Sequence, residues 1–305
     1  MHKISGRWQF GLCLSLITVI LWGVLPISLS ITLQGLDVYT LTWFRFFVSF
    51  CLLAIYLKAR GNLPSISLLR STSWKLVTIA TIFLAMNYIL FVKGLAMTTP
   101  SNAEVLIQLA PILMGLGGLV IFKERYSLLQ WVGISILIIG LVLFFNEQLS
   151  NLITAKSTYL LGSGLVIVSA IAWSIYALAQ KQLLQSLSSA HIMLIIYGGC
   201  ALIFTLFASP TRIFTLSYLQ SGMLLFCALN TLIAYGAFAE ALKHWEASRV
   251  SAALALTPLV TLLSSWLVSE LSPNLIAAEH FTILGIIGAI LVVCSSTAIA
   301  LGKRQ

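Results

Sequence analysis

The chain has 305 residues, of which 60% are hydrophobic and only 8% charged, with a mean hydropathy of +1.04. A water-soluble globule carries about a quarter charged residues, so these proportions exclude one and name lipid as the solvent. The net charge of +9 does not signal nucleic acid, because the basic residues fall between apolar runs rather than along one face.

A helix that crosses a bilayer needs about 20 mainly apolar residues. Ten stretches meet that length: 10–33, 38–58, 74–96, 100–122, 127–146, 158–183, 188–208, 217–241, 246–270 and 279–301. The first is too long for a signal-peptide core and lacks a small-residue cleavage site, so it reads as a mature helix. Turns between stretches carry Gly35, Pro64, Pro100, Ser127, Pro210 and Pro273, and two connections, 59–73 and 147–157, are longer and polar. Trp8, Trp43, Trp74 and Trp245 lie near stretch ends and read as interface anchors. The five cysteines all sit inside apolar stretches without a CxxC pair and read as small hydrophobes.

Charge placement sets the orientation. With the N-terminus in the cytoplasm, thirteen basic residues fall inside: Lys3, Arg7, Lys58, Arg60, Arg70, Lys75, Lys123, Arg125, Lys181, Lys243, Arg249, Lys303 and Arg304. Only Lys156 and Arg212 fall outside, which puts both chain ends in the cytoplasm.

One segment occurs twice. GLAMTTPSNAEVLIQLAPILMGLGGLVIFKERYS begins at Gly94, and ALKHWEASRVSAALALTPLVTLLSSWLVSELSP begins at Ala241. Leu95 then meets Leu242, Ser101 meets Ser248, Leu109 meets Leu256 and Pro111 meets Pro258; one residue drops out and Glu124 meets Glu270. Trp22 pairs with Trp173 in the same way. Five spans per half is an odd number, so the second half enters the membrane upside down. The expected fold is an all-α membrane protein of ten transmembrane helices as two inverted five-helix repeats, 10–146 (helices one to five) and 158–301 (helices six to ten). Inverted repeats are a device of secondary transporters, with substrate held near the midplane where the halves meet.

No enzyme emerges from the motifs. HExxH, GxSxG and GxxxxGK are absent, and the only aspartate, Asp37, lies in an outer turn. The histidines (His2, His191, His244 and His280) fall at helix ends or in the terminus, which argues against a metal site. The expectation is therefore no catalytic residue, no metal and no cofactor.

These features, taken in order along the chain, resemble the drug/metabolite transporter superfamily, specifically the ten-helix exporters built from two EamA-type repeats. The matching residues are Trp22-Gly23, Arg45-Phe46, and the run Ala96, Ser101, Ala103, Pro111, Glu124-Arg125, Gly133 and Gly140. Its echo is Ala241-Leu242, Ser248-Arg249-Val250-Ser251, Pro258 and Glu270, departing at Leu271 where the first copy has Arg125. The resemblance implies export of small metabolites, often amino acids, by alternating access.

Charged groups inside spans cost about 2.5–3.5 kcal/mol each on insertion scales, so each needs a reason. An ion pair between Lys93 and Glu104 across the Pro100 turn is expected, against a second reading in which Glu104 is a proton or ammonium site facing the path. Glu240 has the same option with Arg249. Arg45 is expected to pack against a carbonyl or a helix end rather than touch substrate. Glu124 and Glu270 are expected to tie helix ends to neighbouring loops.

An uncharged polar and aromatic set remains: Trp22, Asn87, Tyr88, Gln108, Trp173, Tyr176, Asn230 and Tyr235. Gln108 stands one helical turn from Glu104, so the two point the same way, with Pro111 next. For each residue alone, interhelical packing and pathway lining stay open; as a set with Glu104 they read as a substrate pathway. Pro26, Pro111 and Pro258 fit both hinges and static kinks. The expected partners are a small-molecule substrate, neutral or zwitterionic and amino-acid-like, and the lipid bilayer, with no nucleic acid. Proton coupling is left open, and the chain is expected to be a monomer or weak homo-oligomer. A uniport channel or a lipid flippase or scramblase of the same architecture is the alternative.

Overall fold

The computed structural model describes residues 7–123, 126–144, 146, 157–271 and 282–301, and every regular element among them is helical. Lipid offers backbone groups no hydrogen-bond partner, so an apolar run takes the form that pairs them internally. The N-terminal half contains α1 (Trp8–Leu33), α2 (Val38–Ala59), α3 (Ile66–Ser71), α4 (Trp74–Met97), α5 (Pro100–Ile107), α6 (Leu109–Ile121) and α7 (Leu128–Phe144). The C-terminal half contains α8 (Ser157–Leu183), α9 (Ser189–Thr205), a 3-10 helix (Pro210–Thr215), α10 (Tyr218–His244), α11 (Ala247–Leu254), α12 (Thr257–Leu271) and α13 (Ile283–Leu301).

Polar turn residues start the helices where the sequence places them. Asp37 caps α2 by accepting from the Tyr39 and Thr40 backbone nitrogens at 3.1 and 3.0 Å. Ser188 caps α9 through the His191 nitrogen at 3.2 Å, and Ser217 with Gln220 forms a capping box on α10. Within 59–73, expected as a polar connection, the short helix α3 forms behind its own cap, Ser65.

Two of the expected spans are broken. The stretch 100–122 divides at Gln108 into α5 and α6, and 246–270 divides at 255–256 into α11 and α12. The cause is the same in both. A proline lacks the N–H that would bond the carbonyl four residues back, and its ring crowds that carbonyl. For Pro111 that residue is Ile107, the last of α5; for Pro258 it is Leu254, the last of α11.

Seven described stretches, with these broken pairs counted as one each, are long and apolar enough to cross a bilayer. Leu128–Phe144, Ser189–Thr205 and Ile283–Ser295 are shorter apolar helices. Leu202, Leu206, Val120 and Leu128 are among the large apolar side chains on the outer surface, which is tolerable only where that surface meets hydrocarbon.

The most extensive helix contacts all join one half to the other: α1 packs along α10, α4 along α8, α7 along α13 and α2 along α9. Without a hydrophobic drive between helices in lipid, close approach of small residues has to supply the packing. A Cβ on Gly94 of α4 would come within 2.7 Å of the Gly162 carbonyl of α8. A Cβ on Gly288 of α13 would overlap the Phe144 backbone of α7. Of the expected interface anchors, Trp8 and Trp74 are exposed, and the Trp43 indole donates to the Thr205 hydroxyl at 2.9 Å. Trp245 corrects its expectation: it is only 3% exposed, because Gly11 lets α1 approach to where a Cβ would stand 3.0 Å from the Trp245 Cβ.

Candidate functional site

Where the halves meet, a cavity enclosing about 660 Å³ of empty space, its mouth included, opens between them. Its walls come from α1 (Trp22, Leu25, Pro26), α4 (Asn87, Tyr88, Phe91, Val92), α8 (Trp173) and α10 (Tyr235). Arg45 of α2 reaches it, and the broken helices contribute Glu104, Ile107, Gln108, Ala110, Pro111, Leu254 and Thr257. A mainly apolar, aromatic lining with a few polar groups is that of a small-molecule site.

The aromatic wall is one connected cluster. Trp22 and Trp173 meet edge to face with ring centroids 5.6 Å apart, and Trp22 meets Tyr235 at 4.9 Å. Tyr88 and Tyr235 lie 5.5 Å apart. Rings in this geometry hold one another in place and present both faces and edges to an occupant.

Arg45 is 2% exposed and held from behind. Its Nε donates to the Thr231 hydroxyl at 2.9 Å and toward the Cys227 carbonyl at 3.3 Å, and its guanidinium carbon lies 4.5 Å from the Tyr88 ring centroid. Thr231 accepts while donating its own proton to the Cys227 carbonyl at 2.9 Å. The guanidinium is thus fixed in orientation. On the broken helix, Gln108 Nε2 donates to Glu104 Oε1 at 3.0 Å, the one-turn pairing that the spacing dictates. Among the described residues, Gln108 Oε1 has no hydrogen-bond partner, and neither has the Trp22 indole nitrogen. Asn87 donates to the Ser169 hydroxyl and carbonyl at 2.8 and 3.1 Å and receives the Ser169 proton on its own carbonyl, joining α4 to α8 beside the cavity.

The profile of the EamA-like transporter family matches residues 9–146 and 160–294. The chain belongs to the EamA-like transporter family. The chain is 37% identical over 295 residues to the Escherichia coli (strain K12) protein named "Uncharacterized inner membrane transporter YhbE", covering 96% of this chain and 92% of that one. A Haemophilus influenzae protein named "Uncharacterized transporter" is 36% identical over 294 residues, covering 96% of this chain and 95% of its own. A crystal structure superposes with a TM-score of 0.71 at 18% identity, over 95% of this chain and 96% of that one, which speaks to the fold alone. This EamA-like transporter is an integral, multi-pass protein of the inner membrane.

In this EamA-like transporter, seven of the side chains expected on a pathway line the cavity: Trp22, Asn87, Tyr88, Glu104, Gln108, Trp173 and Tyr235. Tyr176 and Asn230 do not. Tyr176 is fully buried against the Met193 sulfur at 3.7 Å, and Asn230 donates to the Leu21 carbonyl of α1. Both sit on helices that line the cavity, but helical rotation turns them into the packing between helices. Arg45 and Pro111, expected to be structural, stand in the cavity wall, and the Pro111 carbonyl accepts the Ser251 hydroxyl. Pro258 is buried one residue beyond the lining Thr257.

Neither expected ion pair forms. Lys93 does not meet Glu104; its Nζ donates to the Tyr39 hydroxyl at 2.6 Å, tying α4 to the start of α2. Glu240 pairs with Lys243 at 3.3 Å and His244 at 3.1 Å and accepts the Ser189 hydroxyl, while Arg249 pairs with Glu246 at 3.1 Å. For Glu240 and Arg249 the charged partners stand one turn away along the chain rather than across the hairpin. Glu270 is exposed at the end of α12, and Glu124 lies outside the described residues.

Thr231 escaped the sequence reading although it holds Arg45 in place. Its signal was its spacing, one helical turn before Tyr235 on α10. Phe91, Val92, Leu254 and Thr257 carried no distinguishing signal, since apolar and small residues in a span read as packing.

Proposed function

We propose that this EamA-like transporter moves a small organic metabolite, zwitterionic and amino-acid-like, outward by alternating access of two inverted five-helix units. The observation that carries the reading is the cavity between the halves, in which a guanidinium and a carboxyl share one aromatic enclosure. The internal echo in the sequence and the match of the family profile to both halves support two like units rocking about a common site. The matched breaks before Pro111 and Pro258 offer each unit a place to flex. Glu104 is the group through which proton coupling would run, because it is the one acidic side chain of the cavity wall among the described residues.

A phosphate site gathers several Lys or Arg residues; among the described residues this cavity wall has one, Arg45. The test is a counterflow screen of radiolabelled metabolites with purified protein in liposomes. Neutral amino acids with apolar side chains are expected to exchange, and counterflow itself separates a carrier from a channel. Preferential exchange of a phosphorylated sugar would overturn the substrate class.

A further inference from the structure

The helix α2 starts at its cap Asp37 and ends at the other face of the molecule, where α3 lies and α4 begins. This connection carries Lys58, Arg60, Arg70 and Lys75, all four exposed. No Asp or Glu occurs in the chain between Asp37 and Glu104. Among the described residues none of the four bases meets a carboxylate; the Arg60 guanidinium lies over the Tyr56 ring, 5.7 Å from its centroid. The end of α10 shares this face, because His191 Nε2 stands 2.8 Å from the Asn62 carbonyl and nearby Ser189 donates to Glu240. There the bases are matched: Lys243 pairs with Glu240 at 3.3 Å and Arg249 with Glu246 at 3.1 Å. The connection between α2 and α4 is thus a block of positive charge with no local counter-charge.

The same connection leaves apolar side chains uncovered. Leu63, Ile66 and Trp74 are 47%, 72% and 50% exposed, while Leu68 turns inward against the core. The Trp74 indole donates to the Leu69 carbonyl at 3.0 Å, which folds α3 back onto the start of α4 and brings the backbone at Arg70 close to that at Lys75. Both α2 and α4 are long and apolar enough to cross the bilayer, so the short segment joining their ends is held at headgroup depth. Apolar side chains interleaved with bases suit that boundary, where the former reach acyl chains and the latter meet phosphates. A tryptophan whose N–H is satisfied and whose ring is exposed belongs to the same layer.

We infer that the α2–α4 connection is an interfacial surface that binds anionic phospholipid headgroups of the leaflet it meets, with Lys58, Arg60, Arg70 and Lys75 on the phosphates and Leu63, Ile66 and Trp74 in the acyl boundary. The surface lies outside the cavity, and the inference is independent of the transport reading. A headgroup held here steadies the ends of α2 and α4, the helices that bring Arg45 and Tyr88 to the cavity wall, and through Asn62 the start of α9. Each base near an anionic surface is worth about a fivefold preference, and the attraction is screened by salt.

The experiment uses the full chain in phosphatidylcholine liposomes with a trace of spin-labelled phosphatidylglycerol or spin-labelled phosphatidylcholine. Electron spin resonance reads the motionally restricted fraction of each label, and their ratio gives the preference. The wild type is expected to favour phosphatidylglycerol about fivefold at low salt, the factor of one base at the surface. In 1 M NaCl, where the Debye length is about 3 Å, the ratio is expected to fall close to one. Combining Lys58→Gln, Arg60→Gln, Arg70→Gln and Lys75→Gln is expected to abolish the preference at low salt. Lys243→Gln, on the same face but already paired, is expected to keep it. Should the fourfold variant insert poorly, Arg70→Gln with Lys75→Gln is expected to lower the preference at least twofold and decides together with the salt series. Equal restriction of the two lipids by the wild type overturns the inference. So does a preference that survives 1 M NaCl, or one that Lys243→Gln lowers as far as the fourfold variant does. Displacement of the labelled phosphatidylglycerol by millimolar glycerol 1-phosphate assigns the bases to a soluble anion and overturns it as well.

Discussion

The two halves of this transporter build the same cavity from different chemistry. Both contribute an aromatic wall in matched pairs, Trp22 with Trp173 and Tyr88 with Tyr235, and both break a helix before a proline at the cavity edge. Among the described residues only the N-terminal half adds charge and amide groups: Arg45, Asn87, Glu104 and Gln108. On the proposed reading of two like units, equivalent rings brought near a shared axis would touch each other. On the proposed reading of a bound solute, a polar group on one side has a direction, whereas the same group on both sides would face its own like charge across the cavity.

Breaking that comparison starts with the charged side. Arg45→Met is predicted to lower L-leucine counterflow about 100-fold, since it removes a charge-assisted pair. Ile196→Met, which stands as far past the cap Ser188 as Arg45 stands past the cap Asp37, is predicted to change it less than about twofold, as a volume-conserving swap. Initial rates per reconstituted protein test both, and similar losses at the two positions would show that the asymmetry has no functional weight.

Glu104→Gln should lower counterflow roughly 30-fold, the scale of about 2 kcal/mol for a charged hydrogen bond. It should also abolish acceleration by an inward proton gradient, while Ser251→Ala, as far before Pro258 as Glu104 is before Pro111, keeps that acceleration. Liposomes with imposed pH gradients measure this, and a gradient response surviving in Glu104→Gln would remove Glu104 from any proton path.

The aromatic side makes the opposite prediction, of equality. Trp22→Ala and Trp173→Ala are each predicted to lose about tenfold in exchange, the upper range for an aromatic contact beyond its area. A loss confined to one tryptophan would break the matched wall. The smallest effect is expected outside the cavity. Asn230→Ala gives up its bond to the Leu21 carbonyl and should destabilise by about 1 kcal/mol, seen in thermal melting, with the set of exchanged solutes unchanged.

Much of this was legible in the chain. The helix starts at Asp37, Ser188 and Ser217 follow from capping chemistry, and Pro111 and Pro258 announced a perturbed span. Tyr176 and Asn230 were legible as polar but not as turned away from the cavity, because a span gives no reading of rotation about its axis. Lys93 and Glu104 looked paired because sequence places them across one turn, whereas side-chain direction sent Lys93 to Tyr39 and Glu104 to Gln108. Trp245 looked like an interface anchor because its neighbour across the fold, Gly11, is distant in sequence.

Composition and hydropathy by themselves determined the solvent, the helical form and the approximate places where the chain enters lipid, because backbone groups in hydrocarbon have one economical way to be satisfied. The tertiary structure alone decided which polar side chains share a space. That depends on how helices from opposite halves rotate and close on one another, and it is there that Arg45 and Glu104, far apart in sequence, come to face a single cavity.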